Sequence, residues 1–448
     1  MGKIHSVMKR SGSVVPFNPE RITNAIYRAA VAVGGRDRSI AEGLTLQVVR
    51  LLEEKCLPKA IPTVEEIQDT VEKVLIEYGH ARVAKAYILY REERSRMRRL
   101  RAKMAAQPSE NIPWPKIWSV LDWAASHQVH TTAAYNERIR RGEIGAIVDE
   151  SEQAYNLDVE NAVEIIASRA AQLKVVIITG PSSSGKTTTT LKIAQRLERM
   201  GLSLVSLNLD NYFFNLEYHP KDEFGDYDFE TPQALDISQI NAGLNRLVQG
   251  DEILMPFYDF KDGRRTQQQT PLKLKPGDLI LIDSLHGLYP DLTRGIEPEQ
   301  MFKVYLEPLL QMKDTEGNYF RWTDIRLIRR MLRDSIHRAY SPQKTLEHWH
   351  YVRSSEMRNI IPFHNSADFL VNSAMPYELS IYHPKLINEF GVWVELYRND
   401  PLREDAYERA GRTYRMLQEV LPLEDTTVVP PDSVVREFIG GSIYDDVH

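Results

Sequence analysis

At 448 residues the chain is too long for one ordinary domain, and 42% hydrophobic with 26% charged residues is the balance of folded soluble proteins. A net charge of −6 leaves no global positive field to hold nucleic acid, and the single cysteine, Cys56, excludes an intrachain disulfide and a cysteine-rich zinc site. The opening MGKIHSVMKRSG lacks the apolar stretch of a secretory signal and no run of eighteen apolar residues follows, so the expectation is a cytoplasmic protein with neither membrane nor nucleic acid as partner.

In chain order, the first hundred residues read as a strand or hairpin followed by helices. Ile22, Ile26, Ala29 and Val33 recur at helical spacing after Asn18-Pro19. Ile67, Val71, Val74, Leu75 and Tyr78 repeat that spacing after Thr63, a candidate N-cap, and Gly79 ends the helix. A third helix begins near Ala81, and its basic end, Arg91 to Lys103, reads as a solvated helix end. The stretch QPSENIPWPK follows, with Pro113 and Pro115 disfavouring helix on both sides of Trp114. It reads as a linker, and residues 117 to about 170 as a helical connector. The expected domains are therefore 1–103, a linker and connector over 104–170, and 171–448.

From Lys174 the pattern changes. KVVIITG, LSLVSLNLD and DLILIDS are short runs of Val, Ile and Leu separated by amphipathic helices, which predicts a doubly wound parallel α/β sheet. Between the first such strand, Val175 to Thr179, and a helix from Lys186 lies Gly180-Pro-Ser-Ser-Ser-Gly185-Lys186-Thr187, the phosphate-binding pattern G-x-x-x-x-G-K-[ST] in its required context. Glycines there let backbone N–H groups converge on phosphate oxygens, and the helix adds the positive end of its dipole. The candidate nucleotide-holding set is Gly180, Ser182, Ser183, Ser184, Gly185, Lys186, Thr187 and Thr188. Lys186 would reach the β- and γ-phosphates, and the Thr187 hydroxyl would ligate Mg²⁺.

Downstream residues extend the site. Asp283 closes the apolar run Leu279 to Ile282, where a carboxylate can help hold the magnesium ion through water. Asp210 closes another predicted strand, Leu204 to Leu209, and strand C-termini are where open α/β sheets bind ligands, so it is the candidate general base. Arg326, Arg329, Arg330 and Arg333 fall within an arc of roughly 100° on a predicted helix. That is one cationic face able to clamp a transferring phosphoryl group, although a solvated arginine stripe would look the same.

The segments GPSSSGKT, LNLDNYF, GDYDFETP, MPFYDFKDGRR, LILIDS and RRMLRDSIHR come in the order and spacing of the uridine kinase and phosphoribulokinase family, which the chain resembles from Lys174 to Leu379. The resemblance implies an ATP- and Mg²⁺-dependent P-loop kinase. It implies Asp210 as catalytic base, Arg329 and Arg333 in a closing lid, and Asp228 to Glu230 and Tyr258 to Phe260 bordering the acceptor pocket, with Arg265 nearby in the same segment. Two departures stand out: Glu230 replaces the family's Asp, and Gly263 its base-contacting His. HWHYVRSSEMRNIIPF and VVREFIGGS resemble C-terminal segments of bacterial uridine-kinase-like nucleoside kinases.

VMKRSGSVVPFNPERITNAI, PTVEEIQDTVEKVL and GHARVAKAYILYRE resemble the ATP-cone, a nucleotide-binding regulatory module, across nearly all of residues 4 to 94. This implies Lys9, Arg10 and Arg21 on the triphosphate and Asn18 or Thr63 on the rest of the nucleotide. Ser11 stands where an acidic residue is usual, and Arg21 where a lysine is frequent. The expectation for the whole chain is a kinase of a small hydroxyl-bearing metabolite, foremost a nucleoside, with an adenine-nucleotide effector on the cone. A sugar phosphate or pantothenate-like acceptor, a nucleotide-sensing protein with little turnover, and assembly into a homo-oligomer stay open. Asp210 and the arginines favour catalysis, because a sensor needs neither.

Overall fold

The computed structural model describes residues 4–8, 14–55, 61–91, 112–219, 230–259, 262–337, 340–400 and 402–444. They fall into two compact units divided after residue 109, with the short segment 399–404 grouped with the first.

The smaller unit opens with an antiparallel hairpin of β1 (Ser6–Met8) and β2 (Val14–Pro16), Val7 facing Val15. Four helices follow: α1 (Glu20–Ala32), α2 (Arg38–Lys55), α3 (Val64–Glu77) and α4 over 81–91. Ile22, Ile26 and Ala29 of α1 and Val71, Val74 and Leu75 of α3 are buried in one core, as the helical spacing predicts. Thr63 does cap α3. Its hydroxyl accepts from the Glu66 N–H at 3.2 Å while the Glu66 carboxylate accepts from the Thr63 N–H at 2.7 Å, a reciprocal capping box. Helix α2 is the element that the sequence pattern did not announce. It contains Gly43 and the weak helix formers Thr45, Val48 and Val49, and forms because Ala41, Leu44, Val48 and Leu52 bury one stripe against α1 and α3.

The larger unit is built on a five-stranded parallel sheet in the order β4-β7-β3-β8-β9. The strands are β3 (Val175–Thr179), β4 (Leu204–Ser206), β7 (Leu279–Ser284), β8 (Met301–Glu307) and β9 (Phe369–Asn372). A separate antiparallel hairpin pairs β5 (Ile253–Asp259) with β6 (Arg264–Leu272). Both faces of the sheet are covered, as the apolar runs require. Val176 and Ile178 enter one core cluster with α8 (Lys186–Arg199), whereas Val175 and Ile177 enter another with α9 (Ile237–Val248). The chain visits β3 first, then strands on one side, then the other, so the order reverses beside β3. That switch point is where an open α/β sheet binds its ligand.

Residues 117 to about 170 are helical, as their pattern predicts, and the first helix starts inside the stretch expected as a linker. Trp114 opens α5 (Trp114–Ser126), with Pro113 just before it and Pro115 in the first turn, where a missing N–H costs nothing. Helices α6 (Thr132–Arg140) and α7 (Ile144–Arg169) bury Tyr135, Tyr155, Val159 and Ile166 in the same cluster as Val176 and Ile178. Each such buried aliphatic side chain contributes about 1.5–3 kcal/mol, so these helices belong to the core of the sheet-bearing unit. After β8 come α10 (Trp322–His337) and α11 (Pro342–Asn359), then β9, α12 (Glu378–Tyr397), α13 (Glu404–Gln418) and the short α14 (Arg436–Ile439).

Strand β4 ends at Ser206, three residues earlier than its apolar run suggests. The Asn208 side chain accepts the Asp210 N–H at 2.9 Å and turns Leu209–Tyr212 into a single 3₁₀ turn. Asp210 therefore sits on a turn beyond the strand and is exposed.

Candidate active site

Strand β3 runs directly into the glycine-rich loop. A Cβ on Gly180 would lie 2.5 Å from the Leu306 carbonyl oxygen, so the loop can pass β8 only with glycine there. Ser183 at φ +59° and Gly185 at φ +90° are left-handed, which turns the loop back on itself at the start of α8. The Ser183 and Ser184 hydroxyls are buried without a hydrogen-bond partner among the described residues. A concave cradle with orphaned donors at a helix N-terminus fits a phosphate chain.

Lys186 opens α8, and its ammonium reaches the Pro181 carbonyl at 3.2 Å. Burial lowers its pKa, against the attraction of Asp283 and Glu437. Asp283, near the end of β7, has its carboxyl pushed up to about 6 by burial, in spite of Lys186, with Glu437 and Asp210 pushing the same way as burial. Thr190 donates to it at 3.4 Å. Lys186, Asp283 and Asp210 thus share one electrostatic neighbourhood, and half-buried Thr187 lies in the same first turn of α8.

The four arginines of α10 do not form one exposed face. Arg326 and Arg329 are 0% exposed. Arg326 is held by Glu356 at 2.5 and 2.9 Å and pairs with Glu307 at 2.9 Å, and it donates to the Ser182 carbonyl at 3.2 Å. Arg329 is held by Glu378 at 2.7 and 3.0 Å and by the Ser373 carbonyl at 2.7 Å. Ser373 in turn donates to the Ser184 carbonyl at 2.5 Å. A buried guanidinium must be paired, and pairing with Glu378 removes Arg329 from the lid expected of it. These two side chains shape the loop from behind. Arg330 faces the site, donating to the Ser182 hydroxyl at 3.2 Å and to Glu230 at 2.8 Å. Arg333, bound to Asp334 at 3.1 Å, is close enough to lower the Lys186 pKa.

Around the expected acceptor pocket, Glu230 is tied to α10 through Arg330 and to α11 through the Ser355 hydroxyl, which donates to the Glu230 carbonyl. Tyr258 on β5 is buried, and its N–H donates to the Asn211 side chain at 3.2 Å. Arg265 turns inward, donating to the carbonyls of Tyr212 at 2.6 Å and Phe213 at 2.8 Å and to Gln239 and Asp236 at 2.8 and 3.2 Å. It braces the turn that carries Asp210 and spends its guanidinium there, so the structure does not project it into the pocket as a substrate ligand. Asp228 and Phe260 lie outside the described residues. In the smaller unit, the Met8 N–H bonds the Pro62 carbonyl at 2.9 Å, bringing the hairpin to Thr63. Thr63 is engaged in its capping box, Asn18 accepts the Glu20 N–H at 2.9 Å, and exposed Arg21 stands in the first turn of α1. Lys9 and Arg10 lie outside the described residues.

Residues 175–379 match the phosphoribulokinase/uridine kinase family, and residues 5–96 match the ATP cone domain. The chain joins an ATP cone domain to a phosphoribulokinase/uridine kinase domain. The uridine kinase of Deinococcus deserti is 29% identical over 199 residues, 44% of this chain and 86% of that protein. Uridine-cytidine kinase B of Dictyostelium discoideum is 27% identical over 198 residues, 44% of this chain and 73% of that one. The vitamin B12-dependent ribonucleoside-diphosphate reductase of Thermoplasma acidophilum is 45% identical over 100 residues, 21% of this chain and 12% of the reductase. Members of the uridine kinase family are ATP-dependent kinases, and the P-loop domain here is one. Among the described residues no helix is long and apolar enough to cross a membrane.

Two residues beside the candidate site carry no mark in the sequence pattern. His286, three positions after Asp283, is buried beside Glu230, and burial pushes its pKa down to about 4. Only its place at the exit of LILIDS hints at it. Glu437, in the VVREFIGGS segment, is 5% exposed and accepts both the Thr188 N–H at 3.2 Å and the Thr188 hydroxyl at 2.9 Å. A glutamate 249 positions from its partner leaves no local pattern to read.

Proposed function

We propose that the kinase domain transfers the γ-phosphoryl group of Mg-ATP to a hydroxyl of a nucleoside-like acceptor, with residues 1–103 sensing an adenine nucleotide. The observation that carries this is the meeting of Lys186, Asp283 and exposed Asp210 at the switch point of the sheet. Ser182 to Thr188 hold the phosphates, and Lys186 offers a point charge to the β/γ bridge. Thr187 and Asp283 would hold Mg²⁺, which would supply neutralising charge to the transferring group. Asp210 orients the attacking hydroxyl and accepts its proton. Arg330 and Arg333 face the γ-phosphate side, and Glu230 and Tyr258 border the acceptor.

Gly263 sits at φ +64° with its Cβ position 3.1 Å from Leu216, so the region offers no imidazole from that position and little room for one. This favours keeping a second acceptor class, a sugar phosphate or pantothenate-like alcohol, because a pocket built for one hydrogen-bond pattern rejects others. The test is ADP production measured over a panel of nucleosides and sugar alcohols. Nucleoside-dependent ADP supports the reading. Turnover confined to other alcohols reassigns the acceptor, and no acceptor-dependent ADP at all leaves a nucleotide-binding regulator.

A further inference from the structure

The C-terminal segment meets α8 and the loop before it at three points and α10 at a fourth. Asp432 pairs with fully buried Lys192 at 3.0 Å. A Val434 methyl lies 2.4 Å from where a Cβ on Gly185 would be, so the segment and the loop touch without a gap. Phe438 is covered by the Arg329 guanidinium, 4.9 Å from the ring centre. Between these anchors the Glu437 carboxylate reaches the backbone N–H and hydroxyl of Thr188.

Thr188 is the third residue of α8, and its N–H belongs to the first turn, whose donors have no partner within the helix. In a loop of this pattern those donors cradle the α- and β-phosphates. One N–H cannot serve a carboxylate and a phosphate oxygen together. Two anions within hydrogen-bond distance of each other in a buried site also repel strongly. The Glu437 charge extends through the site, since it acts on both Lys186 and Asp283.

We infer that Glu437 is part of the ATP site, an internal anion on the phosphate cradle that the nucleotide must displace. Its role is to set nucleotide affinity: the C-terminal segment stays anchored through Asp432, Val434 and Phe438 while the Glu437 side chain swings away from Thr188. The inference rests on reading Ser182 to Thr188 as the phosphate cradle. It also makes the segment a control point, because anything that draws Glu437 off Thr188 raises the affinity for ATP.

The experiment is calorimetric titration of the full chain with Mg-ATP for wild type, Glu437→Gln, Glu437→Asp and Lys186→Ala. The binding component missing from Lys186→Ala is the kinase site. Glu437→Gln keeps the shape and an oxygen acceptor for Thr188, so the fold is retained, and thermal unfolding checks that it is. The expected result is a Kd for the kinase component lower by about tenfold or more in Glu437→Gln. Glu437→Asp, which keeps the charge one methylene further back, should fall between Gln and wild type. Unchanged or weaker ATP binding in a folded Glu437→Gln, beside a component lost in Lys186→Ala, overturns this inference alone. A Lys186→Ala protein that loses no component overturns the P-loop reading and the inference with it.

Discussion

Lys186 and Asp210 take opposite positions at the same site, one enclosed by the loop it closes and the other exposed at the mouth, and each location sets a separate expectation. Replacing Lys186 by Ala removes the cation that balances phosphate charge, and phosphoryl transfer should fall below detection in a coupled ADP assay. Wild-type turnover in that protein would remove the catalytic reading of the loop. Asp210→Asn should lower kcat by about 10²-fold with ATP affinity kept, because general-base contributions are of that order; joint loss of affinity and chemistry would place Asp210 with the metal instead. His286 supplies the pH dependence. Its folded-state pKa of about 4 lies below the ordinary 6.5, so between those values the unfolded chain binds a proton that the folded chain does not. Stability contributed by neutral His286 is therefore fully present above about pH 6.5 and declines as pH falls towards 4, by about 3 kcal/mol in total. Other buried histidines act in the same direction, so the measurement is the difference in denaturant midpoint between wild type and His286→Asn at pH 7 and at pH 4.5. The gap between them should narrow, or reverse, at the lower pH.

Helix α10 shows where reading by element succeeds and where it stops. The glycine-rich loop, its flanking strand and helix, and the strand ending in Asp283 were legible because each is a contiguous run whose chemistry and context are both local. The arginines of α10 were legible as a helical stripe, but Arg326 and Arg329 were not legible as buried, because the carboxylates that neutralise those two, Glu307, Glu356 and Glu378, come from β8, α11 and α12. Helical periodicity fixes which side chains share a face and says nothing of what that face meets. The same limit hid the burial of α6 and α7, whose partners, α12 for the one and α8 and β9 for the other, follow them in the chain. The prediction at this scale follows from pairing: Glu378→Ala leaves Arg329 as a buried charge without its carboxylate and should cost about 3–5 kcal/mol of stability. The double replacement Arg329→Met, Glu378→Leu should recover most of that loss, since removing both partners leaves no unpaired charge. Chemical denaturation of the three variants measures it, and equal destabilisation by the single and double changes would show that the pair is not what α10 and α12 rely on.

At the scale of the whole molecule, the ATP cone and the kinase domain each bring an adenine-nucleotide site by the proposed reading, so the full chain should bind nucleotide twice and residues 1–103 once. The motive is the cone match over residues 5–96 together with Arg21 exposed at the first turn of α1, well separated along the sequence from Lys186. If an effector on the cone binds two states of the chain with different affinity, the sites are coupled, and coupling free energies of this kind amount to about 1–3 kcal/mol. Reciprocity makes the claim strict: occupancy of the kinase site must shift effector affinity by the same factor as the effector shifts ATP affinity. Titration of the full chain with ATP and with dATP, in Lys9→Ala and Lys186→Ala backgrounds, isolates each site in turn. The expected outcome is one site lost in each variant, with the affinity of the remaining site differing by about 5- to 150-fold from its value in the wild-type chain with the other site filled. A folded 1–103 fragment that binds neither ATP nor dATP would end the sensing role and leave the cone as an oligomerisation or docking module.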